Sequence, residues 1–325
     1  MGVSDAVSVA PGADHTCALK ADRTVVCWGQ NNYGQLGTGT TTQSNTARLV
    51  HGPSLVDILS DVTAISSGRD HTCALKGDGT VACWGQNDFG QLGNGFAVED
   101  LPNPLAATVP GLAGVTAIGL GAEHTCALKA DQTVACWGSP SLGQVGAGTY
   151  STSTPSGFPV RPTPLVVSGV TAATALAVGG AHSCALVAGG TVKCWGDNSR
   201  GQLGNGSTTA GGAATPTPQL VGGLTDASQI VAGAVHTCAR RTAGTSACWG
   251  DNYYGELGNG TTVNATSPQT VSGLPANSVL AAHLGNHSCA LSTDSTARCW
   301  GANFFGALGN GTTVHSNSPQ LVIGL

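Results

Sequence analysis

Charge is scarce in this sequence. Only 12 basic and 17 acidic residues are spread over 325 positions, and the basic ones are scattered rather than clustered. A protein that grips phosphates needs a concentrated positive face, so no direct nucleic-acid binding is expected. Apolar runs are short as well: none approaches the roughly 18 residues of a membrane-spanning helix, and no direct membrane insertion is expected. No secretory signal is visible, because Met1-Gly2-Val3 leads straight into the first repeat. Any signal is expected to have been removed. There is also no Ser-His-Asp order, no phosphate-binding loop and no helix-borne metal motif. Catalytic residues and cofactors are therefore not expected.

What is present is periodic. Six tryptophans and twelve cysteines fall into one pattern written six times: His15 to Gly29, His71 to Gly85, His124 to Gly138, His182 to Gly196, His236 to Gly250 and His287 to Gly301. Within each copy the two cysteines are ten residues apart, and a tryptophan follows the second. No cysteine or tryptophan is left over for a unique site. First cysteines recur at intervals of 51 to 58 residues, a period that belongs to repeat architectures.

Each unit reads as short strands rich in Val, Thr, Ala and Leu, bounded by Gly, Asp and Asn. In the first copy these are Ala6–Ala10, Thr16–Lys20, Thr24–Trp28 and Arg48–Val50. The middle two form a hairpin around Ala21-Asp22-Arg23. A turn symmetric about Asp22 sets Leu19 opposite Val25 and Cys17 opposite Cys27. Cα atoms so opposed lie about 4.5 to 5.5 Å apart, within reach of a disulfide. One disulfide per unit follows: Cys17 with Cys27, Cys73 with Cys83, Cys126 with Cys136, Cys184 with Cys194, Cys238 with Cys248 and Cys289 with Cys299.

Both faces of the hairpin carry apolar side chains, so each small sheet needs a neighbour on either side. Radially packed four-stranded blades supply this. The expected fold is all-β: a six-bladed β-propeller with about four antiparallel strands and one disulfide per blade. It is read as a single domain over 1–325, built of repeats 1–59, 60–112, 113–169, 170–224, 225–274 and 275–325. Whole repeats are present, and the two chain ends are expected to meet in one blade.

The recurrent His-Thr-Cys-Ala-Leu-Lys, Val-Ala-Cys-Trp-Gly and Gly-Gln-Leu-Gly-Asn-Gly segments resemble the repeats of the regulator of chromosome condensation family, and the resemblance covers all six units. It implies a propeller built from a His-Thr strand, a Trp-Gly strand and a Gly-Gln-Leu-Gly loop. The familiar ring has seven blades, so six is a departure. The family's members include a nucleotide-exchange factor for a nuclear GTPase, intracellular scaffolds and a secreted bacterial inhibitor of β-lactamases. Fold is thus implied more sharply than function.

An even dozen cysteines in strand-pair register suits an oxidising location, and the protein is expected to be secreted or at the cell surface. His15, Cys17 and Cys27 could alternatively share a face and hold zinc. The disulfide competes for the same sulfurs and is preferred, so no metal site is expected.

A binding site should break the repeat. The loops after each Trp-Gly hold six of the nine Phe and Tyr residues: Tyr33, Phe89, Tyr253, Tyr254, Phe304 and Phe305. They fall in units 5, 6, 1 and 2, contiguous in a closed ring, and aromatic arcs are the composition of binding hot spots. The bland alternative is that one aromatic per loop packs on the next blade, which leaves Tyr253 and Phe304 as the extra ones. Arg240 and Arg241 depart from the Leu-containing pattern and could contact an anion. Asp14, Asp70 and Glu123 precede the repeated histidine in units 1 to 3 and would make one rim acidic, unless they only cap turns. His51, His283, His315 and the Glu99-Asp100 pair read as solvated loop residues. The longest connections, Gln43 to Asp61 and Thr149 to Val170, could carry recognition.

These readings converge on a monomeric extracellular binding or scaffold propeller for a protein partner, in one version an enzyme inhibitor. A structural or adhesive module of a larger cell-surface protein is the alternative, and an enzyme with a site on one face comes third.

Overall fold

The structure is a computed structural model in which residues 3–146, 152–154, 156–210 and 213–324 are described. Its regular elements are all strands, and they form the six blades of a β-propeller fold, each antiparallel. Blade 1 comprises Ala6–Pro11, His15–Lys20, Val25–Gly29 and Ser44–Leu49, hydrogen-bonded in chain order. Blade 3 differs only in an additional short strand, Thr152–Ser153, which pairs with Pro159–Val166 inside the long third connection.

Every blade is drawn from consecutive strands. The first strand pairs with Thr16–Lys20 and the last, Ser316–Leu321, with the strand holding Cys299. The expectation that the two ends share one blade is therefore corrected: each repeat closes its own four-stranded sheet, and no sheet is left short of a strand.

The hairpin register follows from its turn. Lys20 N–H donates to Thr24 O, Arg23 sits at φ 66°, and Asp22 Oδ1 accepts from both the amide and the hydroxyl of Thr24. This tight closure places Leu19 against Val25 and Cys17 against Cys27. Alternation outward from the Lys20–Thr24 bond makes the cysteine pair a non-hydrogen-bonded one, where opposed residues come closest. All six disulfides form there, with Cα–Cα separations of 4.0 to 4.1 Å, slightly shorter than the spacing predicted from strand geometry alone. With the sulfurs so joined, the zinc alternative has no thiolates to use.

The chain divides into two compact units, 1–141 with 147–167, and 142–146 with 168–325, each holding three blades. In both, the core lies between blades rather than within them. Blades 1 and 2 enclose Cys17, Cys27, Leu36, Val50 and Trp84. Blades 4 and 5 likewise enclose Cys184, Cys194, Leu203 and Trp249. A disulfide of one blade is thus packed against the tryptophan of the next.

One polar relay fastens neighbouring blades. In unit 2, His182 Nε2 lies 2.9 Å from Thr237 Oγ1 of the next blade, and that hydroxyl donates 3.0 Å back to the carbonyl of Gln202. A hydroxyl has one hydrogen, so the imidazole must be the donor, through Nε2–H. The same carbonyl accepts the indole N–H of Trp249 at 3.0 Å. His236, Ser288, Trp300 and the Glu256 carbonyl repeat the arrangement. In unit 1 it recurs with His71, Thr125, Trp137 and the Gln91 carbonyl. The repeated His, Trp and Gly-Gln-Leu-Gly residues are therefore one device. Glycine is required beside it: a Cβ on Gly68 would overlap the ring of His71.

Candidate functional site

The loop after Trp-Gly is built around a buried asparagine in every blade but the third, where Pro140 takes its place. In blade 5, Asn252 Oδ1 accepts from Leu257 N–H, and its Nδ2 reaches the carbonyls of Thr261 and Val263. Asn303 does the same in blade 6 with Leu308, Thr312 and Val314. This ties a long loop to one point and pushes the residues after the asparagine outward.

In unit 2 those residues form an aromatic cluster. Tyr253 meets Tyr254 edge-on at 4.8 Å between centroids, and Tyr254 meets Phe304 of the next blade at 5.0 Å. His315 closes the group, 4.8 Å from Tyr254 and 4.5 Å from Phe304. Its Nδ1 accepts the amide of Asn303 at 2.9 Å, which fixes the ring. Tyr253 is 71% exposed, Phe304 54% and Phe305 99%. Val263 and Val314, both exposed, stand on the same tethered loops. Ordered aromatics left in water are uncommon without a partner to cover them.

The same positions in unit 1 behave differently. Tyr33 and Phe89 are half-buried. The Tyr33 carbonyl accepts Asn103 N–H from the next blade, and Phe89 packs edge-on against Phe158 at 6.2 Å. Phe89 thus has an aromatic neighbour on the next blade, as Tyr254 has in Phe304, while Tyr33 is tied to the next blade through its backbone. The arc read from sequence separates into half-buried Tyr33 and Phe89 in unit 1 and a group in unit 2 where Tyr254 is half-buried and Tyr253, Phe304 and Phe305 are exposed.

The paired arginines are largely occupied. Arg241 forms a 2.7 Å ion pair with Asp226, and Arg240 turns to Ser228 Oγ and the Asn277 carbonyl. They stand at the hairpin end of blade 5, opposite the loop that begins after Gly250. Arg240 does pair across with Ser246, whose hydroxyl is buried without a partner.

The acidic residues of unit 1 share one region. Burial raises Asp70 above the usual carboxylate range, Arg69 opposes this, and Asp14 and Asp88 add to it. Glu123 is raised for the same reason. Their backbones also act in turns, since the carbonyls of Asp14, Asp70 and Glu123 accept Gln30, Gln86 and Ser139 N–H. Glu99 is not merely solvated: Ser156 Oγ donates to it at 2.7 Å, and hydrogen bonds from Thr154 and Ser156 lower its pKa. No group of three or more His, Cys, Asp or Glu side chains with metal-binding geometry occurs among the described residues.

Two residues escape a sequence reading. His315 reads as a solvated loop histidine but is the fourth member of the aromatic cluster, which becomes visible only when blades 5 and 6 are set side by side. Glu256 replaces the glutamine of Gly-Gln-Leu-Gly, and aligning the repeats would have exposed it. Its side chain is fully buried, Oε2 accepts Tyr254 N–H at 2.9 Å, and Oε1 has no partner. Burial, helped slightly by Asp251, pushes its pKa up to about 7.

Blade number, the His–hydroxyl–carbonyl relay and the asparagine-tethered loops define a class of repeat propellers. Within that class, residues 2–325 match the RCC1-like domain, and the chain belongs to this family. It is similar to the human E3 ubiquitin-protein ligase HERC2, 31% identical over 98% of this chain but only 6% of that protein. It is also similar to the Arabidopsis thaliana ultraviolet-B receptor UVR8, 29% identical over 97% of this chain and 69% of the receptor. Among solved structures, human WBSCR16 superposes with a TM-score of 0.84 at 22% identity, covering 100% of this chain and 83% of the other. Yeast RCC1 (Prp20), solved bound to Kap60, gives 0.81 at 23%, covering 98% and 75%. These structural likenesses speak to the fold.

Proposed function

We propose that this protein is a binding scaffold whose recognition surface is the cluster of Tyr253, Tyr254, Phe304, Phe305 and His315. The partner is a protein segment rich in apolar side chains. The observation that carries this reading is the exposure of Tyr253 and Phe304 while their rings are held edge-to-face by neighbours. Holding rings in place before binding lowers the ordering cost, and aromatic anchors dominate interface energetics. Its Tyr and Phe side chains are uncharged, which favours an apolar segment over an acidic or basic one. That yeast RCC1 has been solved with a protein bound supports a recognition role for the fold. Ligase chemistry is not carried over from HERC2, of which this chain spans about 6%.

Six disulfides support a working location outside reducing compartments, secreted or on a cell surface. Cytosolic reductants would keep such thiols apart unless burial protected them.

Panning a displayed library of short random peptides against the protein tests the surface. Peptides with two or more large apolar residues should enrich, and Tyr253→Ser with Phe304→Ser should reduce their affinity at least about tenfold, the loss expected of removing a hot-spot anchor. Undiminished binding to the double variant would remove the assignment.

A further inference from the structure

The recognition loop of blade 5 contains a carboxyl group where the loops of blades 1 to 4 contain an amide and that of blade 6 an alanine. In blade 4, Gln202 Oε1 accepts Arg200 N–H at 2.8 Å, and Gln202 Nε2 donates 2.8 Å to Asp197 Oδ2. The side chain thereby braces the loop from both ends. Blade 5 keeps the acceptor half: Glu256 Oε2 takes Tyr254 N–H at 2.9 Å. Asp251 stands at the position of Asp197 and is itself 9% exposed. The donor half is missing, because Glu256 Oε1 occupies the place of an amide NH2 and is buried without a partner.

We infer that Glu256 is a proton-operated brace for the Tyr253–Tyr254 recognition loop, locked when its carboxyl carries a proton that it donates to Asp251 and released when that proton leaves. The inference rests on the recognition surface proposed above and concerns its regulation. Protonated, Glu256 reproduces the Gln202–Asp197 bond of blade 4. Ionised, it puts a second buried negative charge beside Asp251 with no donor between them. Like charges so placed repel, and a proton on Glu256 removes that repulsion. The position transmits the change in both directions along the chain. Two residues before it, Tyr254 stacks on Phe304, and the Glu256 carbonyl is the anchor for Trp300 and Ser288 of blade 6.

Other charged or titratable groups around the loop are few. Arg200 of blade 4 lies 3.9 Å from Asp251 and offsets part of its charge. From blade 6, His287 adjoins Ser288, and His315 packs on Tyr254. Burial lowers the pKa of His287. Both histidines remain in a Glu256→Gln variant, so a response that they cause would survive that change.

The test is hydrogen exchange of the segment 252–263, followed by mass spectrometry from pH 5.5 to pH 8.5 and corrected for intrinsic exchange. In the wild type, protection should fall at least about tenfold across a midpoint near pH 7, where Glu256 titrates. Glu256→Gln installs the residue that four other repeats use, so folding is not at risk, and its protection should stay flat and high. A flat wild-type profile, or a step that persists in Glu256→Gln, would overturn the inference. Because exchange needs no ligand, the recognition proposal can fail while the brace stands. If peptides bind the surface at every pH with equal affinity and the segment does not titrate, the surface stands and the brace falls.

Discussion

At the residue scale, the most constrained groups are the histidines of the relay. Burial lowers the pKa of His71 and His236 to about 3 and that of His182 to about 4. In the unfolded chain the same rings titrate near 6.5, so the unfolded state binds more protons below that pH. Their contribution to stability should be complete above about pH 6.5 and should decline as pH falls from there toward 4, which urea titrations at a series of pH values would read as a falling midpoint. Glu256 runs the other way. Its folded pKa is raised, so stability is lost as pH rises through about 7. Removing the relay hydroxyl has a separate cost. Thr237→Val leaves a buried imidazole N–H without an acceptor and one carbonyl lone pair without a donor, and should destabilise by about 1 to 3 kcal/mol in equilibrium denaturation.

At the scale of elements, each hairpin is held by its turn and its disulfide, and each blade by its neighbour. Replacing Cys238 and Cys248 by alanine should cost about 2 to 4 kcal/mol, and reduction of all six bonds should lower the melting temperature sharply. A melting curve indifferent to reductant would assign the stability to blade packing instead. Hairpin register was legible in the sequence because a three-residue turn fixes it within twelve residues, so Cys17 could be set opposite Cys27 by counting. The relay was not, because His182 and Thr237 belong to the same motif in successive repeats, and nothing local says that one copy reaches for the next. The aromatic cluster was half legible. Tyr253 and Phe304 stood out as extra rings, whereas His315 arrives from the far end of a loop that only the Asn303 tether folds back. Tyr33 and Phe89 had the same composition as the exposed group. What separates them is exposure, since Tyr253, Phe304 and Phe305 stand in water while Tyr33 and Phe89 are half-buried, and loop composition does not contain that difference.

At the scale of the whole molecule, the chain is nearly without charge patterning, and its recognition should reflect that. Peptide affinity at the aromatic cluster should change less than about twofold between low and high salt, since few ion pairs screened by salt are involved. A steep salt dependence would point to Asp70, Glu123 and their neighbours in unit 1 as the working surface. Intact mass should fall about 12 Da below the all-thiol value, two hydrogens for each of six disulfides. A full complement of alkylatable thiols would withdraw the oxidising location.

The relay bears on how such a protein can arise. The imidazoles of His15, His71, His182 and His236 each meet a hydroxyl 52 to 57 residues away, and for the last three that hydroxyl returns to the loop that precedes it. A stretch of DNA encoding one period, copied or lost as a unit by unequal recombination, therefore restores every partner at the new junction. The Ser288 that answers His236, where Thr125 answers His71 and Thr237 answers His182, shows how little the junction demands: an oxygen at the right height.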